Sequence, residues 1–435
     1  MRKLLAYLNG RAVGTLAEAN DLWTFEYDPE WAGLPDSFDL SPALPRSRLL
    51  HEDGSSERPV QWYFDNLLPE EQMREAVSQE ADIHGDDAFA LLEYLGAESA
   101  GSLVLLPPDQ NINEPGGLRP LSDAELAQRI RNLPRVTLGS GAPKRMSLAG
   151  AQNKLLVVYR DDALFEPVGS EPSTHILKPN HLSDDYPASV INEYFVMSLA
   201  RSLGLSAPPV FRRYTPEPIY IVERFDRFMD NTGRTQRRHI IDACQLLNKS
   251  RSFKYKTATL QTLAEIVEYC RNRVVTRLGL YRWLVFNLLI ANTDNHLKNL
   301  SFLVSAAGIE LAPAYDLLST GAYHTRAFAN ERANWPAVDL AIGLPGATTL
   351  ATVTRESILE AGEVLGLPRR VGERELDRLT KEVLPALLTL EQRIERENAN
   401  YPEPAHVFLA GERRAVGTIK HIIVKDMLKR LSAAP

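Results

Sequence analysis

Cysteine is nearly absent from this chain, which has only Cys244 and Cys270. Two cysteines exclude a disulfide scaffold and a four-cysteine zinc site, and they fit a reducing cytosol. Long apolar runs are missing as well. The most apolar segment, residues 280–291, carries Arg282 and Asn287, and it falls far short of the about 20 residues a membrane span needs. The run Leu4 to Leu8 stops at Asn9-Gly10, too soon for a signal-peptide core. There is no excess of positive charge. A net charge of −7 argues against binding nucleic acid by bulk charge, and leaves room only for a local basic patch or a DNA-binding partner. No internal repeat, low-complexity tract, Walker A loop or GxGxxG is found. These absences predict a soluble cytoplasmic protein with no membrane partner.

What remains is an ordinary globular composition. Hydrophobic residues make up 44% and charged residues 24% of 435, which excludes wholesale disorder. At roughly 100–200 residues per domain, two or three domains or lobes are expected. Asn9-Gly10 between Leu4–Leu8 and Ala12–Leu16 reads as a hairpin with a type I′ turn. Trp23, Phe25 and Tyr27 alternate with Thr24 and Glu26, a strand pattern. Helices are expected after Asn66-Leu67-Leu68-Pro69-Glu70-Glu71 and over Ala88–Leu95, a strand over Ser102–Leu106, and a linker from Asp109 to Gly117. Residues 1–135 thus form a small α+β subdomain with no chemical constellation of their own. Residues 136–435 change character and become mostly helical after Asp316, with helices over Arg355–Leu365, Glu373–Glu397 and Val424–Leu431.

The sharpest signal is Thr293-Asp294-Asn295-His296-Leu297-Lys298-Asn299, directly after a buried helix over Leu280–Ala291, with Tyr315-Asp316 downstream. Phosphoryl transfer needs this set. One carboxylate orients the acceptor hydroxyl, while an amide oxygen and a second carboxylate hold Mg²⁺ against the phosphates. The Asp-x-x-x-x-Asn spacing matches a protein-kinase catalytic loop, and Ser301–Val304 with Gly308–Leu311 would be the following hairpin. Alone, the spacing is common in loops. His296 and Lys298 strengthen it, because both suit an anionic ligand. The second signal is Ser147-Leu148-Ala149-Gly150-Ala151-Gln152-Asn153-Lys154 before a strand; small residues there let backbone N–H groups approach phosphate. Its plainer reading is a turn into a strand. The third is Lys178 at a strand end with Glu193 in the next helix, and the fourth is Val222-Glu223-Arg224-Phe225-Asp226 at the place of a kinase hinge. Each is modest alone; all fall in kinase order.

On these residues, with Phe64-Asp65-Asn66-Leu67-Leu68-Pro69, Thr174-His175-Ile176-Leu177-Lys178 and Asn192-Glu193-Tyr194, nearly the whole chain resembles the HipA family. These are serine/threonine-kinase toxins of bacterial toxin–antitoxin modules. The resemblance implies an α+β, protein-kinase-like two-lobed fold with a small N-terminal subdomain and an all-helical C-terminal lobe. It implies ATP and Mg²⁺ as cofactors. Ala149, Gly150, Ala151, Gln152, Asn153, Lys154 and Lys178 would meet the ATP phosphates, and Glu223, Arg224 and Phe225 the adenine. Asp294 would be the base, with His296, Leu297, Lys298, Asn299, Tyr315 and Asp316 completing the nucleotide and metal site. Ser147 matches the autophosphorylated serine of the family. The implied partners are a HipB-like helix-turn-helix antitoxin, operator DNA within that complex, and a translation component such as an aminoacyl-tRNA synthetase as substrate. Asn295 stands where the family often has glycine, and residues 228–238 look like a variable loop. A small-molecule phosphotransferase of the aminoglycoside or choline kinase type, which usually carries His-Gly-Asp at the base, and an inactive nucleotide-binding module stay open as alternatives.

Overall fold

The computed structural model describes all residues except 100, 111, 113, 147, 148, 151 and 433–435. The described chain forms two compact units, each assembled from separate stretches. One comprises residues 1–178, 223–253 and 301–312; the other comprises 179–222, 254–300 and 313–435.

The first unit opens with a five-stranded antiparallel sheet. Its strands are β1 (Arg2–Leu8), β2 (Arg11–Ala19), β3 (Leu22–Tyr27), β4 (Leu50–Glu52) and β5 (Val104–Leu106), in the order β4-β3-β2-β1-β5. Asn9 and Gly10 both take positive φ (48° and 80°), as the type I′ turn between β1 and β2 demands. Trp23, Phe25 and Tyr27 are all buried, so the alternation puts one face of β3 inside. There Trp23 meets Phe89 edge-on at 5.2 Å and Phe25 meets Phe64 at 5.6 Å, bringing in the helices Pro59–Asp65 and Ala88–Leu95. Each such aromatic stabilises the packing by about 1.5–3 kcal/mol on full burial.

A second antiparallel set follows: β6 (Gly117–Pro120), β7 (Leu155–Arg160), β8 (Ala163–Val168) and β9 (His175–Pro179). Here β8 lies between β6 and β7, and β7 pairs with β9. The expected linker therefore ends in a strand. Residues 228–238 are also more ordered than a loop. Arg227–Met229 pairs with Thr235–Arg237, and the turn is held by Asp230, whose carboxylate accepts from Thr232 and Gln236. The expected hairpin Ser301–Ser305 with Gly308–Leu311 is present, and it gains a third strand, His239–Asp242.

The second unit is built around helices. Ser189–Ser202 is buried along almost its whole length and stops at Gly204, where φ is +76°, the left-handed conformation that ends helices. Arg273–Leu289 starts a full two turns before the apolar stretch seen in the sequence. Arg369–Asn398 runs through Pro385. His406–Thr418 continues through a π-helical stretch, Ile419–Val424, into Lys425–Leu431. The unit is not wholly helical: Asp339–Leu344 and Ala347–Thr349 form a hairpin. Deep in the unit, the Arg212 guanidinium donates to Glu412 (2.6 Å) and Asn398 (2.7 Å), and lies 5.2 Å from the Tyr401 ring centre. Among the described residues no helix is long and apolar enough to cross a membrane.

Candidate active site

In the second unit, the helix Arg273–Leu289 carries the site. An asparagine in so apolar a helix must find hydrogen-bond partners. Asn287 Nδ2 donates to the Trp283 carbonyl at 2.8 Å, and its Oδ1 accepts from Asn292 Nδ2 at 2.8 Å. Asn292 Oδ1 in turn accepts the Asp294 N–H at 3.1 Å. This chain of amides, with Asn287 and Asn292 both buried, ties the loop at Asp294 to the end of the helix. A second tie runs from Thr320: its hydroxyl accepts the Thr293 N–H at 2.7 Å.

Downstream, the loop closes on itself. Asn299 Nδ2 donates to the Asp294 carbonyl at 2.7 Å, and the His296 N–H donates to the same oxygen at 3.0 Å. The five-residue spacing thus brings Asn299 back against Asp294. Tyr315 donates its hydroxyl to the Lys298 carbonyl at 2.6 Å, which fastens the 315–316 segment to the loop. Asp316 sits at φ +56°, a backbone conformation that a non-glycine residue adopts at a cost and that concentrates at functional sites.

Burial pushes the Asp294 carboxyl above its ordinary range, and the neighbouring Asp316 carboxylate adds to that; His296, Tyr255 and Lys254 pull the other way. Tyr255, which the sequence reading passed over, donates its hydroxyl to Asp294 Oδ1. Glu193 faces Tyr220, whose buried hydroxyl is driven well up by burial and by the nearby carboxylates of Glu193 and Asp316.

The other candidates belong to the first unit. Gly150 takes φ +106°, a backbone conformation that calls for glycine; the atom nearest its missing Cβ is the mobile Lys154 Nζ, 3.0 Å away. Its carbonyl accepts the Glu70 N–H at 3.2 Å. The Lys154 ammonium donates to the Ala149 carbonyl. Leu155 pairs with Leu177 in antiparallel register, so Lys154, just before β7, and Lys178, in β9, share one end of the sheet. Ser147, Leu148 and Ala151 lie outside the described residues.

Glu223 is exposed, Phe225 half-buried and Arg224 buried. The Arg224 guanidinium is committed inward: it donates to both Asp226 oxygens at 2.9 and 2.7 Å. It belongs to a buried network centred on Glu98. Glu98 Oε2 accepts from Lys144 (2.9 Å) and Arg237 (2.7 Å), and Oε1 from Arg227 (2.8 Å) and Ser173 Oγ (2.8 Å). These cations hold the Glu98 carboxyl well below the usual carboxylate range despite complete burial.

Residues 146–384 match the HipA-like C-terminal domain family, and residues 4–106 the HipA N-terminal domain family. This chain belongs to the HipA family. It is 37% identical over 337 residues to a putative kinase of Sinorhizobium fredii, covering 74% of this chain and 78% of that one. It is 32% identical over 324 residues to the serine/threonine-protein kinase toxin HipA of Shewanella oneidensis, covering 70% and 71%. Among solved structures, it is similar to the Shewanella oneidensis complex of HipA, HipB and operator DNA, with a TM-score of 0.77 at 26% identity over 98% of this chain and 99% of that one. The mixed α and β architecture agrees with that likeness.

Proposed function

We propose that this chain is an ATP-dependent serine/threonine protein kinase, the toxin of a toxin–antitoxin module, with a protein-kinase-like two-lobed catalytic region over residues 136–435 and an N-terminal subdomain over 1–135. The observation that carries the reading is the Asp294–Asn299 loop. It is held by the Asn287–Asn292 amides and closed by Asn299 on the Asp294 backbone. Asp294 is the base. It orients the acceptor hydroxyl and takes its proton, and the upward shift of its carboxyl brings it closer to the pH at which it works.

Asn299 and Asp316 offer oxygen donors, the type a hard divalent cation takes. Asn299 spends its amide N–H on Asp294, so its Oδ1 is the atom suited to a cation. They would hold Mg²⁺, which when bound neutralises phosphate charge. Ala149, Gly150, Ala151, Gln152, Asn153, Lys154 and Lys178 bind the phosphates of ATP, and the backbone of Glu223, Arg224 and Phe225 receives adenine. The inward-turned Arg224 side chain supports this use of backbone groups, because it fixes the segment and leaves no guanidinium free for the base. His296, Leu297, Lys298 and Tyr315 line the nucleotide.

The similar complex of HipA, HipB and operator DNA supports the partners; the substrate, its compartment and Ser147 follow from the family resemblance. A HipB-like antitoxin is the partner, and operator DNA is bound within that complex. The substrate is a translation component of the cytoplasm, and Ser147 is the autophosphorylation site. Incubation with labelled ATP, alone and with cell extract, tests the reading. Wild type should label itself and an extract protein on serine or threonine, and Asp294→Asn should label neither. Label on small molecules alone would favour the aminoglycoside-type reading, and no label at all the inactive module.

A further inference from the structure

A tyrosine that is 46% exposed contributes little by burial, yet Tyr255 is braced on several sides within its unit. Its hydroxyl donates to Asp294 Oδ1. Its ring meets the His296 ring edge-on, with centroids 4.8 Å apart at 87°. Lys254 Nζ lies 5.3 Å from the ring centre. The backbone is fastened at both ends: the Lys254 carbonyl accepts the Leu297 N–H at 3.1 Å, and the Tyr255 carbonyl accepts the Ala258 N–H at 3.0 Å. The Lys254–Tyr255 segment is therefore docked on the same loop that carries the candidate base, at its backbone, its histidine and its carboxylate.

We infer that Tyr255 is a positioning residue for phosphoryl transfer: its hydroxyl holds Asp294 by Oδ1 and leaves Oδ2 to receive the acceptor hydroxyl. A carboxylate on a two-bond side chain rotates freely about its last bond unless one oxygen is tethered. Charge-assisted hydrogen bonds are the strong ones, and this one is directed by a ring that His296 and Lys254 hold in place. The acceptor hydroxyl then meets an oxygen of defined direction, and orientation of this kind acts on the chemical step rather than on nucleotide binding. The inference rests on the reading of Asp294 as the base.

The test is steady-state kinetics on the full chain with ATP and extract protein, beside calorimetric ATP titration. Tyr255→Phe removes only the hydroxyl. It should lower kcat about 10-fold or more, with KM for ATP, ATP affinity and melting temperature unchanged. Tyr255→Ala, which also frees the His296 ring, should lower kcat further. A Tyr255→Phe protein with kcat within twofold of wild type overturns the inference, as does one that is faster, which would show the phenol competing with the acceptor. A loss confined to ATP affinity overturns it as well. Asp294→Asn in the same assay separates the two claims. If it is inactive while Tyr255→Phe is normal, only the tyrosine's role falls; if it is active, the base assignment falls and this inference with it.

Discussion

Replacing Glu98 by glutamine should destabilise the first unit severely, and the charge count says why. Around this fully buried carboxylate stand Lys144, Arg224, Arg227 and Arg237, with Asp226 as the one further anion among the described residues. The cluster already carries more positive than negative charge. Burial and the neighbouring Arg224 pull the Arg227 guanidinium down to about 10. Removing the central anion leaves the cations facing one another in low dielectric. Breaking one side of a buried ion pair typically costs about 3–5 kcal/mol. In a unit of this size that corresponds to a fall in Tm of about 6–20 °C, read by thermal unfolding at pH 7. Arg237→Gln, which removes a cation from a cation-rich cluster, should cost clearly less. A Glu98→Gln protein melting within about 2 °C of wild type, or an Arg237→Gln protein that is the worse of the two, would refute the reasoning.

Lys178→Ala should weaken ATP binding in a calorimetric titration by about tenfold or more, since a point charge is lost from the phosphates; unchanged affinity would return Lys178 to the role of a strand end. Intact-mass measurement after ATP incubation should show one added phosphate in wild type and none in Ser147→Ala, and phosphate elsewhere only would remove Ser147 from the reading. Burial pulls the His239 imidazole down to about 4, while its partners Ser102 Oγ (2.8 Å) and the Leu40 carbonyl (2.9 Å) suit the neutral ring. A depressed folded pKa means that its contribution is complete above about pH 6.5 and is lost as pH falls towards 4, amounting to about 3 kcal/mol. His239→Gln should flatten the acid limb of the melting profile, and a profile identical to wild type would refute this.

Local signals were readable wherever the chain meets a local demand. Asn9-Gly10 specified its turn, Ala88–Leu95 its helix, and the spacing of Asp294 and Asn299 the closed loop now seen. What escaped the sequence depends on partners far along the chain. His239–Asp242 is too short to announce itself, and becomes a strand because Ser301–Ser305 lies beside it. Tyr255 stands in a run of lysines and serines that reads as solvated surface; only its bond to Asp294, 39 residues on, gives it meaning. Glu98 looks like any helix-end acid until four cations from three later segments arrive. Asn287 is the one that was legible in principle: an amide in the middle of an apolar helix, five residues before Asn292, has to be bonded to something.

The interleaving of the two units also sets a timetable for birth on the ribosome. Residues 1–178 emerge first and bring Lys144 and Ser173 to Glu98, but Arg224, Arg227 and Arg237 are still to come, and the strand His239–Asp242 waits for Ser301–Ser305. At about 5–20 residues per second, the gap between those two strands alone takes about 3–12 s to translate. Arg212 waits longer still, across 200 residues, for Glu412. These contacts therefore mature in sequence: the Glu98 cluster is complete once Arg237 is made, the Tyr255–Asp294 bond follows some 57 residues later, and the Arg212–Glu412 pair closes only near the end of the message.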